Sequence, residues 1–242
     1  MGASLRTPTG VTSTSRGLDL LVGGPLGAWA LRSAPRARVR QVVCLDDALV
    51  ALAVDLGHDV FAGDPQAQEF SPGSAALSVG FPFVLGAGFV ARYEGAIWNL
   101  HPGLLPWGRG THPVFWALWE GTPAGATLHE LTAGLHAGPI VEQRAVAVLP
   151  SDDGGRLYER VEAAAREILL RRLPGLAAGV RPPASPQPPG GSCHSLAEFE
   201  YLRDEGRYEV ARDDRERLAR CLTVPDAPIP AVAQATRRCE RP

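Results

Sequence analysis

The run Ile97-Trp98-Asn99-Leu100-His101 leads directly into Pro102-Gly103-Leu104-Leu105-Pro106-Trp107-Gly108-Arg109-Gly110. On a strand, residues two apart share a face, so Asn99 and His101 place an amide beside an imidazole where an apolar run meets a Pro/Gly-rich loop. Acyl transfer to an amine needs that pair. The amide N–H can donate to the oxyanion of the tetrahedral stage, and the imidazole can move the proton of the attacking amine. Taken alone, Asn-x-His also fits two polar residues closing a strand.

The surrounding pattern says what must hold that pair. Short apolar runs alternate with helical ones, which argues for an α/β fold with a mostly parallel sheet. Strands are expected over 18–22, 39–44, 58–61, 75–80, 97–100 and 125–130. Helices are expected over 26–33, 46–56 (Asp46 as cap), 88–93 and 151–173, the last closed by Pro174-Gly175. In open parallel sheets ligands sit at the carboxyl ends of strands near the switch in strand order, and Asn99 and His101 lie at such an end. Gly23-Gly24-Pro25-Leu26-Gly27 follows the first strand. It is neither a Walker loop nor a Gly-x-Gly-x-x-Gly fingerprint, and Pro25 removes a donor that a phosphate cradle would use, so a tight strand-to-helix turn is expected.

Around Asn99 and His101 the chain resembles the folate-dependent formyltransferases, which include the glycinamide ribonucleotide, methionyl-tRNA and sugar N-formyltransferases. Four motifs carry the resemblance: 97–110; Thr111-His112-Pro113-Val114-Phe115-Trp116-Ala117-Leu118-Trp119-Glu120-Gly121; Ala124-Gly125-Ala126-Thr127-Leu128-His129; and Gly134-Leu135-His136-Ala137-Gly138-Pro139-Ile140-Val141-Glu142-Gln143. The resemblance is dense over 75–173 and looser outside. It implies a Rossmann-like formyltransferase fold, N10-formyltetrahydrofolate as cofactor, and Asn99, His101 and His136 as the catalytic set. At the third position the family has Asp.

Three roles stand open for His136. It can replace the Asp as a neutral base, in which case activity falls on acidification through its pKa. It can mark a protein that keeps the fold and pocket without formyl transfer. It can join His101 and His129 around a metal, although no metal-ligand spacing supports that and no metal is expected. Asp152 and Asp153 read as a helix cap and a first-turn residue. His129 reads as a core polar group, His112 as a solvated helix end, and Trp116 and Trp119 as packing.

By the same resemblance the folate ring lies against backbone groups of Phe83, Val84 and Leu85, in the loop opened by Phe81-Pro82. The opposite wall comes from Gly134, Leu135, Ala137 and Gly138, whose glycines allow close approach. Acceptor contacts are expected from Gly24 and Leu26 at the first turn, Trp107 beside an acceptor ring, and Arg109 on a carboxylate or phosphate.

The 242-residue chain is long enough for a full α/β core, and its net charge of −2 gives no electrostatic reason to expect a nucleic-acid or membrane partner. Cys44, Cys193, Cys221 and Cys239 lack Cys-x-x-Cys spacing, so a reduced cytoplasmic chain is expected. Residues 1–16 read as a disordered leader, 17–178 as the formyltransferase-like domain, 179–191 as a stiff Pro-rich linker, and 192–242 as a small C-terminal accessory region and tail. That last region resembles the appended part of the sugar N-formyltransferases. It is too short for the barrel of methionyl-tRNA formyltransferase and exceeds the usual purine enzyme. The expected function is formyl transfer from N10-formyltetrahydrofolate to the amine of an amino sugar or other small metabolite, with a homodimer left open. The alternatives are a non-transferring binder of folate or an amine, or an enzyme repurposed for another reaction such as formylfolate hydrolysis.

Overall fold

A computed structural model describes residues 17–66, 70–205 and 212–223. The expected leader and the end of the tail lie outside the described residues. Seven strands form one sheet: β1 (Leu18–Val22), β2 (Val39–Cys44), β3 (Val60–Ala62), β4 (Ala75–Val79), β5 (Ile97–His101), β7 (Ala124–Glu130) and β8 (Ile140–Val146), in the order β3-β2-β1-β4-β5-β7-β8. The pairs from β3 to β5 are parallel, whereas β5–β7 and β7–β8 are antiparallel. Two-residue strands β6 (Arg109–Gly110) and β9 (Cys193–His194) form a separate parallel pair.

The apolar pattern accounts for the layers. Leu18, Leu20 and Val22 enter the main core with Leu26, Ala30 and Leu31 of α1 (Gly24–Ser33), Leu49 and Ala53 of α2 (Asp47–Asp55), and Ile168, Leu169 and Leu173 of α5 (Gly154–Ala177). Leu21, one residue out of phase, packs on the other face with Phe70 and with Phe89 and Val90 of α3 (Ala87–Ala91). Asp46 caps α2 by accepting from the Leu49 amide, as its spacing predicts. α5 departs from expectation by running through Pro174 to Ala177. Proline deprives the carbonyl four residues back of its donor. That carbonyl belongs to Leu170, a residue on the exposed face of the helix. Asp153 caps α5, while Asp152 lies before the helix, buried and paired with Arg160.

At the end of β1 remote from Asn99 and His101, Asp19 is fully buried. Its carboxylate meets Arg40 at 2.7 Å and accepts from the Tyr93 hydroxyl at 2.8 Å and the Gly73 amide at 2.5 Å. Removing one partner of a buried pair leaves the other uncompensated. Asp19→Ala should therefore cost about 3–5 kcal/mol of stability, read as a lowered urea midpoint; a shift of less than about 1 kcal/mol, the size of an exposed pair, would contradict this.

The C-terminal region packs on α4 (Pro113–Glu120) through α6 (Leu196–Glu200) and α7 (Arg212–Cys221). Phe115 and Trp116 of α4 meet Phe199, Leu218 and Cys221 there. His112, expected as a solvated helix end, stacks on Phe199 at 3.7 Å. Cys44 and Cys221 are buried free thiols, but Cys193 is disulfide-bonded, which departs from the all-thiol reading. Among the described residues no helix is long and apolar enough to cross a membrane.

Candidate active site

Asn99 and His101 are both buried at the end of β5. The β5–β7 register sets His129 opposite Asn99 and Thr127 opposite His101. The Asn99 side-chain amide donates to His129 Nε2 at 3.2 Å, and His129 Nδ1 donates to the Glu130 carbonyl at 2.7 Å. His129 thus fixes one amide N–H of Asn99 and leaves the second available. From sequence His129 reads as a core polar group or, with His101 and His136, as a metal ligand. Its place across from Asn99 depends on an antiparallel register that no sequence periodicity reveals.

His101 Nε2 donates to the Gly108 carbonyl at 2.8 Å, which leaves the lone pair on Nδ1. Gly103 makes room for this ring: a Cβ there would lie 2.6 Å from His101 Nε2. The loop beyond is pinned by Thr127, whose hydroxyl donates to the Gly103 carbonyl at 2.7 Å and accepts from the Leu105 amide at 3.1 Å. Gln143 donates to both the Thr127 hydroxyl and the Leu105 carbonyl.

His136 joins the group from the loop between β7 and β8. Its ring lies 3.9 Å from that of His101 and 5.6 Å from that of His129, centroid to centroid. Nδ1 accepts from the Gly110 amide at 3.1 Å, so the neutral ring carries its proton on Nε2. In this state His136 is a donor with no free lone pair, which argues against it as the replacement base. Among the described residues no group of three or more His, Cys, Asp or Glu is arranged to hold a metal ion. Both nitrogens of His129 and one each of His101 and His136 are already committed to protein groups.

All three imidazoles are held neutral. Burial pushes His101 down to about 3, and His129 adds to the shift while the Gly108 carbonyl opposes it. Burial pushes His129 down to about 4 against the opposing bond to Glu130. Burial also takes His136 well below its ordinary value, aided by His101, His129 and Arg109. An acid limb of activity through the ordinary histidine range is therefore replaced by one well below it. A group whose folded pKa is depressed contributes nothing differential above the unfolded value of about 6.5. It costs stability as pH falls from there to the folded pKa, because the unfolded chain takes up the proton first. Each such histidine should remove up to about 1.4 kcal/mol per pH unit across that window, read from urea midpoints; a midpoint independent of pH between about 6.5 and 4.5 would contradict the buried neutral cluster.

The other expected residues fall in distinct places. Leu85 is buried in the second core, Val84 is 38% exposed and Phe83 is half-buried. The Val84 carbonyl accepts from Gln66 at 3.2 Å, whereas the amides of Phe83, Val84 and Leu85 bond to no protein group among the described residues. The apolar side chains of Phe83 and Val84, with three unbonded backbone donors, could hold one edge of a flat heterocycle. On the other side Gly134 and Ala137 are exposed and Leu135 is half-buried. Gly138 is glycine for a nearer reason: a Cβ would lie 1.9 Å from the Glu130 carbonyl oxygen. Gly24 adopts φ +60° at the start of α1, while Leu26 turns into the main core. Trp107 and Arg109 are half-buried. Gly23 and Gly80, at the ends of β1 and β4 where the strand order switches, approach so closely that a Cβ on either would meet the other's carbonyl oxygen within 2.5 Å.

Comparison with known proteins adds three likenesses and one family match. Residues 64–173 match the family model described as formyl transferase. A phosphoribosylglycinamide formyltransferase of Mycobacterium tuberculosis is 42% identical over 102 residues, 42% of this chain and 47% of the relative. The chain thus spans about half the length of that curated relative. A formyltransferase from Anoxybacillus kamchatkensis, solved with UDP-4,6-dideoxy-4-formamido-L-AltNAc and tetrahydrofolate, is 25% identical with a TM-score of 0.57, covering 78% of this chain and 93% of that one. A sugar N-formyltransferase from Shewanella sp FDAARGOS_354 shares the fold at 19% identity and a TM-score of 0.67, covering 85% and 88%.

Proposed function

Across residues 64–173 the chain belongs to the formyl transferase family, and from that premise we propose that it moves a formyl group from N10-formyltetrahydrofolate to the amine of a small acceptor, a nucleotide-linked amino sugar being the favoured class. The observation that carries this is the Asn99 amide, oriented by His129 with one N–H to spare, beside a His101 ring with a free Nδ1. The neighbour solved with UDP-4,6-dideoxy-4-formamido-L-AltNAc and tetrahydrofolate supports that acceptor class.

The acceptor nitrogen attacks the formyl carbon and a new C–N bond forms. Asn99 donates to the oxygen as charge gathers on it. His101 Nδ1 takes the proton released by the amine and returns it to N10 as the old C–N bond breaks, so no proton is gained or lost overall. His136, through Nε2–H, can donate to a water or to the developing oxyanion. The unbonded backbone amides of Phe83, Val84 and Leu85 would hold the folate ring from one side, and the loop carrying Gly134, Leu135 and Ala137 would bound it on the other.

A second reading is favoured by one observation: among the described residues no carboxylate bonds to His101 or acts on its charge, so nothing there stabilises the protonated ring. A protein of this kind would bind folate or an amine without transferring formyl. Calorimetric titration with a stable N10-formyltetrahydrofolate analogue tests what both readings share. Micromolar binding is expected, and absence of binding at millimolar analogue would remove the folate pocket from the account.

A further inference from the structure

We propose that Gln187, in the proline-rich segment expected as a mere linker, is a positioning residue for the reaction at His101 and His136. This rests on the formyl-transfer reading above, since the groups it holds are those of that site. Its side-chain amide uses all four of its hydrogen-bonding positions. Oε1 accepts from Arg109 Nε at 3.1 Å and Nη2 at 2.7 Å, while Nε2 donates to the carbonyls of His136 at 2.7 Å and Gly138 at 2.8 Å.

The bonds fall where the backbone needs them. His136 sits at φ +49°, a left-handed conformation that a non-glycine residue keeps only when its surroundings impose it. Gln187 holds the carbonyl of that residue and the Gly110 amide holds its ring. Gly110 is in turn paired to the C-terminal region through β6 and β9. The orientation of the His136 ring against His101 is therefore set from two directions, one of them Gln187.

The segment is built to present this side chain. Gln187 lies between Pro186 and Pro188-Pro189, so its backbone is confined to extended conformations before any contact forms. The segment is tied down on both sides. Ser185 and Ile140 exchange both backbone hydrogen bonds, at 2.7 and 2.9 Å. Ser192 accepts from the Gly108 amide on Oγ and the Arg109 amide on its carbonyl, and donates to the Pro106 carbonyl.

Only an amide suits the place. A carboxylate would satisfy Arg109 but would set negative oxygens against two carbonyls, and an apolar side chain would abandon Arg109 and both carbonyls together. Gln187→Glu and Gln187→Leu thus remove different parts of the arrangement, and both remove the donation to His136.

The test uses the full chain with isotope-labelled histidine, the six signals being assigned through single His→Asn variants. In Gln187→Leu the His136 ring resonances should move and its titration midpoint should rise toward the ordinary value, while His129 keeps its wild-type signals. In a formyl-transfer assay kcat should fall by about 10²-fold, the scale of an ångström-sized misplacement, with KM for the formyl donor little changed. Gln187→Glu, which retains a partner for Arg109, should also displace the His136 signals and decides the matter if the leucine variant does not fold. Wild-type His136 signals in a folded variant, or His101, His129 and His136 moving together with a lowered melting temperature, would overturn the proposal. Loss of the formyl-transfer reading has a separate signature: no transfer by the wild type, with the His136 shift still reporting on Gln187.

Discussion

Asn99→Ala should lower kcat for formyl transfer by about 10²- to 10³-fold, the usual cost of one oxyanion donor, while KM for the formyl donor changes little. The small KM effect follows because the ground-state carbonyl carries little charge and the amide acts on the oxygen only as that charge develops. His129 sharpens the prediction. Its Nε2 accepts from the same amide, so in Asn99→Ala that nitrogen loses its protein donor, and the His129 signals should shift in labelled protein. Unchanged turnover in the variant would remove Asn99 from the mechanism.

His136→Asp should raise the His101 pKa by about 2–3 units and, where transfer limits turnover, raise the rate by about 10²- to 10⁴-fold, the usual worth of a positioned acid–base group. The 3.9 Å separation of the two rings sets the scale: unit charges about 4 Å apart interact by about 4 kcal/mol at an effective dielectric of 20, or about three pKa units. In the native chain His101 is surrounded by neutral imidazoles and burial, which hold it near 3, so the protonated state that transfer passes through is costly. The backbone accommodates the change, since Asp tolerates the left-handed conformation that His136 adopts, and the Gly110 amide that bonds His136 can serve a carboxylate equally. Histidine titrations and steady-state rates on the variant check both parts. A raised His101 pKa with a gain in transfer marks a weakened formyltransferase. A raised pKa with loss of the native activity marks a pocket turned to other chemistry.

The strands and the Asn99–His101 pair were legible because their signals are local. Apolar runs of five or six residues between turn residues gave β1, β2, β4 and β5 within a residue, and the two-residue spacing placed both side chains at one strand end. What was not legible depends on pairing across the chain. Asn99 meets His129 only because β5 and β7 run antiparallel in one particular register, and a mostly parallel pattern of runs does not specify that edge. Gln187 reaches His136 across 51 residues of sequence, and its proline-rich neighbourhood reads locally as a stiff spacer. The role of His136 as a donor also waited on structure, because the Gly110 amide that fixes its tautomer comes from a different loop.

The most direct measurement is transfer of label from N10-formyltetrahydrofolate carrying ¹³C in the formyl group, incubated with the full chain and a panel of nucleotide-linked amino sugars and read by mass spectrometry. A labelled formamide is expected on at least one acceptor, lost in Asn99→Ala and enhanced in His136→Asp. Label released only as formate, or retained on the folate with every acceptor and in both variants, would contradict this.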